Sequence, residues 1–213
     1  VSSYEVDQSV QPVSRGGPRE ARRVLEHFLE NSLRRYPRFN REPGEHATSG
    51  LSPYLHFGHI SALEVALAVR DYADKHQLIA VEFLEQLIVR RELAFNYSRH
   101  TADPAALGNV PSWALATLRN HEKDPRPHRY SRAEFENAAT HDALWNAMQR
   151  ELLTTGLIHG YYRMYWGKKI IEWSANCDEA LAAMIELNDR YALDGRDPNT
   201  YTNILWCFGL HDR

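Results

Sequence analysis

The sequence predicts an all-α protein, a multi-helix globule without a sheet. Two observations carry this expectation. Apolar residues recur at three- and four-residue spacing in one stretch after another, starting with Ala21, Val24, Leu25, Phe28, Leu29 and Leu33, as they do on a helix with one buried face. No run alternates apolar and polar residues in the manner of a half-buried strand, and no internal repeat is present.

Residues 1–17 read as a linker or extended arm ending at Gly16-Gly17, and residues 18–213 as one helical domain. Pro18 suits a first helical turn, which sets the first helix at 18–36. Residues 37–58 hold Pro37, Pro43, Gly44, Gly50 and Pro53 and read as loop. Helical patterns follow at 61–76 and 78–99. A looser stretch with Pro104, Gly108, Pro111, Pro125 and Pro127 has room for one helix near 112–121. Ser131 with Glu134 three residues on spells a capping box. Helices then fit 132–138, 142–155, 157–174 and 178–191. Asp194 to Thr202 is turn-rich, with Asp197-Pro198-Asn199 starting a further helix.

Composition narrows the function classes. The 213 residues are 43% apolar and 25% charged, as in ordinary globular proteins. A net charge of -3 does not advertise a polyanion partner, so any such site must be a local patch. No apolar run approaches the ~18 residues of a membrane span. The polar, irregular start resembles no secretory signal, and it lacks an initiator methionine, so the start is expected to be processed or cut. Cys177 and Cys207 form no CxxC pair and read as reduced thiols of an intracellular, cytoplasmic protein. The eleven histidines make no HExxH or other tight ligand set, so no metal is expected. GxGxxG, GxxxxGK[ST] and GxSxG are all absent, which speaks against a dinucleotide-binding βαβ unit, a P-loop and a serine hydrolase.

Some segments are too polar or too aromatic to be scaffold alone. Thr48-Ser49-Gly50-Leu51-Ser52-Pro53-Tyr54-Leu55-His56-Phe57-Gly58 places three hydroxyls and two glycines before a helical pattern that begins near Ser61. Hydroxyls and free N–H groups at a turn, beside a helix start, suit a phosphate or diphosphate. Trp166 and Trp173 are seven residues apart, close to one helix face and roughly 10 Å apart along it. Trp145 lies on the preceding helix and can pack beside them. Spaced indoles can relay an electron, although aromatic residues at such spacing usually form core. A phosphate cradle and spaced indoles together suggest a redox nucleotide. Arg90, Arg91 and Glu92 interrupt an apolar helix and must be paired if buried. They are either a structural ion pair or an arginine serving a cofactor. Arg163, within Tyr161-Tyr162-Arg163-Met164-Tyr165-Trp166, poses the same choice.

In order and spacing these segments resemble the photolyase/cryptochrome family, specifically the class II cyclobutane pyrimidine dimer photolyases. The resemblance runs from about Gly17 to Arg213. It rests on the Thr48–Gly58 run, Val89-Arg90-Arg91-Glu92-Leu93, Gly160-Tyr161-Tyr162-Arg163-Met164-Tyr165-Trp166, Leu187-Asn188-Asp189-Arg190-Tyr191 and Leu193-Asp194-Gly195-Arg196-Asp197-Pro198-Asn199. It implies the helical, FAD-binding catalytic domain, with FAD folded into a U. Tyr36, Thr48, Ser49, Gly50, Leu51 and Ser52 match positions around the ribose and diphosphate. Arg90 matches a cofactor-facing arginine, Arg163 one beside the flavin ring, Asn188 an asparagine near flavin N5, and Asp194 an acidic residue near the ring. Trp166, Trp145 and Trp173 resemble the electron-transfer series, in that order outward from the flavin.

The implied activity is light-driven repair, in which reduced FAD gives an electron to a pyrimidine dimer flipped out of UV-damaged DNA and the cyclobutane ring splits. Met164 and Trp206 match lesion-cradling positions, and Arg41 a phosphate contact. The family has paired glutamates where this chain has Glu85-Gln86. An amide there hydrogen-bonds the lesion but supplies no proton. Glu42 replaces a usual asparagine. Family members carry an N-terminal α/β antenna domain that nothing here matches, and they continue past His211-Asp212-Arg213. The chain is thus expected to be a fragment or part of a split product, acting as a monomer, with no inference about an antenna chromophore. Two other functions stay open: a cryptochrome-like flavoprotein photoreceptor without repair, and a helical interaction domain without cofactor.

Overall fold

The computed structural model describes residues 15–211. Most of the expected N-terminal arm, and Asp212 and Arg213, lie outside the described residues. Among the described residues there are twelve α-helices and no strand, so the all-α expectation holds. They group into two compact units, residues 15–102 with 197–199, and residues 103–196 with 200–211.

The first unit holds α1 (Pro18–Asn31), α2 (Tyr36–Phe39), α3 (Ser52–His56), α4 (Ala62–His76), α5 (Val81–Leu84) and α6 (Arg91–His100). The first helix ends five residues earlier than its apolar pattern suggests. Ser32 and Leu33 N–H groups both bond the Phe28 carbonyl, and Ser32 O then accepts from Arg35 and Tyr36 to open α2. Leu33 is fully buried from this turn, which is why it extends the apolar spacing without extending the helix. Pro37 falls in the first turn of α2, where a missing N–H costs nothing. The core gathers Leu25, Phe28, Leu51, Tyr54, Val65, Val69, Phe83 and Leu87. Phe28 and Phe83 have centroids 4.7 Å apart, and Tyr36 stands edge-on to both. Ser61 caps α4 by accepting the Glu64 N–H at 3.0 Å.

The expected helix over 78–99 is a composite. It begins at Val81, and between α5 and α6 the segment Glu85–Arg90 is π-helical. Periodicity does not register such a widened turn. π-Segments recur at functional sites, and this one carries Glu85, Gln86 and Arg90.

The second unit holds α7 (Ser112–Asn120), α8 (Arg132–Glu136), α9 (Ala143–Thr155), α10 (Gly160–Trp173), α11 (Cys177–Tyr191) and most of α12 (Pro198–Cys207). The Ser131–Glu134 capping box is formed in both directions. Asp142 caps α9 through the Leu144 and Trp145 N–H groups, and Asn176 caps α11 through that of Glu179. A Cβ on Gly167 would sit 2.5 Å from the Met184 methyl and 2.8 Å from Cys207 Sγ, so its absence lets α10 approach α11 and α12. At Gly195 a Cβ would meet the Asn188 carbonyl at 2.7 Å. That turn closes directly onto α11.

Candidate functional site

The first unit contributes the hydroxyl-rich loop and the π-segment. In the loop, Leu51, Pro53 and Tyr54 are buried while Thr48 and Ser52 are exposed. Apolar anchors thus hold a loop whose hydroxyls reach solvent. Ser49 Oγ accepts the Leu51 N–H at 3.3 Å, and Gly50 has φ 66, where a side chain would be strained. The helix expected near Ser61 begins there, capped by Ser61 itself, and the run adds a short helix of its own before it. The run's residues Ser52–His56 form α3, with Pro53 supplying a helix-ready φ. Tyr54 donates its hydroxyl to the Arg15 carbonyl at 2.9 Å. His56 Nδ1 lies 3.2 Å from Asp197 Oδ2, and the other Asp197 oxygen accepts from the Asn199 N–H and side-chain amide.

Burial raises the pKa of the Tyr36 phenol, with nearby Glu82 adding to the rise. Arg41 and Glu42 are exposed. Arg90 Nε lies 3.7 Å from Glu85 Oε1, with both side chains more than two-fifths exposed, and Gln86 is exposed. Arg91 lies over the Phe95 ring at 4.2 Å. Arg90, Glu85 and Glu92 are thus largely solvated, while the Arg91 side chain is 21% exposed and pairs with Glu92 at 3.4 Å.

The second unit contributes the indoles and a polar cluster. Trp145, Trp166 and Trp173 are 0%, 3% and 2% exposed. Trp145 lies between the other two: it stacks on Trp166 with centroids 6.4 Å apart and planes 3° from parallel, and meets Trp173 edge-on at 6.0 Å. Its Nε1 donates to the Trp166 carbonyl at 3.0 Å. Trp166 Nε1 donates to Gln149 Oε1 at 2.8 Å. Beyond Trp173 the contacts continue to Tyr130 at 5.6 Å and His141 at 5.0 Å.

Arg163 Nη2 donates to Asp194 Oδ1 at 2.6 Å, with the side chains 22% and 13% exposed. Buried Asn188 donates to Thr200 Oγ1, which donates to the Asp194 carbonyl, both at 3.3 Å. Arg163, Asn188 and Asp194 thus belong to one network. Met164 Sδ accepts from the Cys207 thiol at 3.9 Å. Burial pushes that thiol up to about 12, so it stays protonated and unreactive. Trp206 is half-buried, edge-on to His211 at 5.6 Å.

The sequence reading missed Gln149, fully buried beneath Trp166. A polar residue one turn after Trp145, on the apolar face of α9, was the available signal. It also missed Tyr165, whose hydroxyl donates to Asp142 Oδ2 at 2.6 Å. That bond, with burial, pushes the Tyr165 phenol up to about 12. For Asp142 burial acts upward, but the bonds from Tyr165, Trp145 and Leu144 outweigh it and lower the carboxyl.

A raised phenol contributes stability that is complete below its unfolded pKa, about 10, and is lost as pH rises toward 12. The lowered Asp142 contributes stability that is present above about 4 and is lost as pH falls through its folded value. Tyr165→Phe is expected to cost about 1 kcal/mol at pH 7. It should also flatten the stability loss between pH 10 and 12, as read by denaturant titration across that range. An unchanged alkaline slope would mean that the bond is not held in solution.

Among the described residues no group of three or more His, Cys, Asp or Glu could hold a metal ion. No described helix is long and apolar enough to cross a membrane.

The second unit thus holds a buried file of three indoles and, anchored on the same helix α10, an arginine–aspartate pair. No family model matches the chain. It is 44% identical over 214 residues to the deoxyribodipyrimidine photo-lyase of Methanothermobacter thermautotrophicus, covering 100% of this chain and 47% of that protein. With the enzyme of the same name from Oryza sativa subsp. japonica it shares 46% over 188 residues, covering 87% of this chain and 37% of that one. With that of Potorous tridactylus it shares 41% over 215 residues, covering 100% and 40%. The chain thus spans less than half the length of these relatives. A bacterial class III photolyase from Agrobacterium tumefaciens superposes with a TM-score of 0.72 at 21% identity, over 93% of this chain and 39% of that one, which shows the shared fold. Along its whole length the chain is homologous to these photo-lyases.

Proposed function

We propose that this chain is the FAD-binding catalytic part of a class II deoxyribodipyrimidine photo-lyase, an intracellular enzyme that uses light to split cyclobutane pyrimidine dimers in DNA. One observation carries this reading: similarity at 41–44% identity to proteins named for that activity covers 100% of the chain, and so spans the segments that hold the candidate site residues.

The donor set suits FAD. Thr48, Ser49 and Ser52 offer hydroxyls on an anchored loop for a diphosphate. Arg163 with Asp194 offers a cation and an acceptor for the polar edge of a flavin ring, and Asn188 offers an amide near it. Tyr36 and Arg90 complete the cofactor set. When bound and reduced, FAD supplies the photoexcited electron that opens the dimer and is then returned. The chain's own residues do the rest. Buried indoles in contact, Trp173, Trp145 and Trp166, pass an electron inward. Asp194 holds Arg163 in place. Met164 and Trp206 offer sulfur and aromatic surface to a flipped-out dimer, and Arg41 a charge to a phosphate. Gln86 and Glu85 offer hydrogen bonds to the lesion. The protein works as a monomer.

Incubation with FAD, removal of free ligand and an absorption spectrum test the cofactor site. Loss of dimers from irradiated DNA in blue light, and not in the dark, tests repair. Retained flavin without repair would favour a photoreceptor, and Gln86 is the feature that leans that way. Gln86→Glu is expected to raise the repair yield per photon, because the carboxylic acid adds a proton donor that an amide lacks. An equal yield in lesion assays would show that the amide suffices.

A further inference from the structure

We propose that a recess against Trp173 is the docking site for the small one-electron reductant that refills the indole file, and that it takes an enediolate. The proposal rests on the reading of the tryptophans as an electron relay. An oxidised tryptophan must be reduced from solution before the electron it gave flows back. Yet all three indoles are at most 3% exposed, so direct collision with a donor is obstructed. A recess of about 360 Å3, lined by Trp173, His121, Arg126 and His128, lies at the Trp173 end of the file.

Its polar lining suits an oxygen anion. Arg126 Nη1 donates to the Ile171 and Glu172 carbonyls at 2.7 and 2.6 Å, which fixes the guanidinium at the end of α10. Its Nε is buried and has no hydrogen-bond partner among the described residues, so the protein leaves part of the guanidinium uncompensated. The carboxylates at the recess are already engaged, Asp124 by His121 and Glu172 by Lys169, both at 2.7 Å. His128 stacks on His141 at 3.8 Å, and His141 meets Trp173, so ring contacts link the recess to the file. The volume fits a ligand at the small end of the usual range.

The step balances as follows. The enediolate monoanion gives one electron to the Trp173 cation radical and its remaining hydroxyl proton to solvent water. The products are neutral Trp173, a hydrated proton and the ligand radical anion.

Ascorbate is the probe. Titration in the dark, read by the ring C–H resonances of His121 and His128 in an NMR spectrum, should saturate. Arg126→Met should weaken binding about tenfold or more, the loss of one charge-assisted hydrogen bond. His121→Trp, at a side chain 68% exposed, should block the recess without touching the core and so controls for misfolding. In the flavin-loaded chain the photoreduction rate should saturate with ascorbate, and the half-saturating concentration should rise in both variants. Shifts that never saturate would overturn the site. A saturable site with photoreduction indifferent to both variants, or lost in Tyr130→Phe alone, would overturn its role as electron entry. If the chain holds no flavin, the relay reading and the reductant role fall together, while the dark titration still decides whether the recess binds.

Discussion

Trp145→Phe is expected to abolish light-driven flavin reduction while flavin content stays close to that of the unaltered chain. Trp145 is the ring that touches both others, stacked on Trp166 at 6.4 Å and edge-on to Trp173 at 6.0 Å. Phenylalanine keeps most of the volume but is far harder to oxidise, so the file is cut in the middle. The substitution removes the hydrogen bond to the Trp166 carbonyl and leaves a small void, at a cost of about 2 kcal/mol. Trp166→Phe should block reduction as well, because it removes the inner ring, and should also orphan the buried Gln149 carbonyl oxygen. The measurement is flavin absorbance under blue light in the presence of a reductant. Undiminished bleaching in Trp145→Phe would mean that electrons enter by another route.

What the sequence could show about this file, and what it could not, follows from how each feature is encoded. The seven-residue spacing of Trp166 and Trp173 put them near one face of α10. It could not place Trp145 between them, because that depends on how α9 packs on α10, a contact in which Gln149 takes part as well as the indoles. The helices themselves were largely legible, since each buries one stripe and several carry caps that spell themselves out, as Ser131–Glu134 does. The π-segment at Glu85–Arg90 was not. It leaves the apolar residues Phe83 and Leu87 at ordinary helical spacing, so only backbone hydrogen bonding reveals it. Likewise Leu33 prolonged the first helical pattern from a turn, because burial and not helicity is what periodicity reports.

The candidate cofactor residues divide between those units. The hydroxyl loop, Tyr36 and Arg90 belong to the first, and Arg163, Asn188, Asp194 and the indoles to the second. The sequence order alone hides this, because residues 197–199 join the first unit from the far end of the chain. Asp197 meets His56 there, so the loop that begins at Thr48 is tied at one end by its own apolar anchors and at the other by a residue some 140 positions on. Within the second unit, a Cβ at Gly195 would meet the Asn188 carbonyl at 2.7 Å and the Ala192 carbonyl at 3.0 Å, so with any side chain the turn after α11 would have to open.

The second large effect is expected at that turn, in Asp194→Ala. Arg163 and Asp194 are mostly buried, and the bond between them is short. Removing the carboxylate leaves a guanidinium desolvated and uncompensated. Breaking a fully buried pair in this way costs about 3–5 kcal/mol, and the residual exposure here lowers that to about 2–3 kcal/mol. Flavin retention should fall with it, because Arg163 is no longer held and the acceptor is gone. Loss of fold and loss of ligand contact can be told apart with the double variant Arg163→Met, Asp194→Ala. Removing both charges lifts the desolvation penalty, so denaturant titration should show most of the stability restored, a coupling that the two single variants cannot display. Flavin retention should not return, since neither cation nor acceptor is present. A double variant that is stable and still retains flavin would make the pair a structural device, and the cofactor-binding role assigned to both residues would fall.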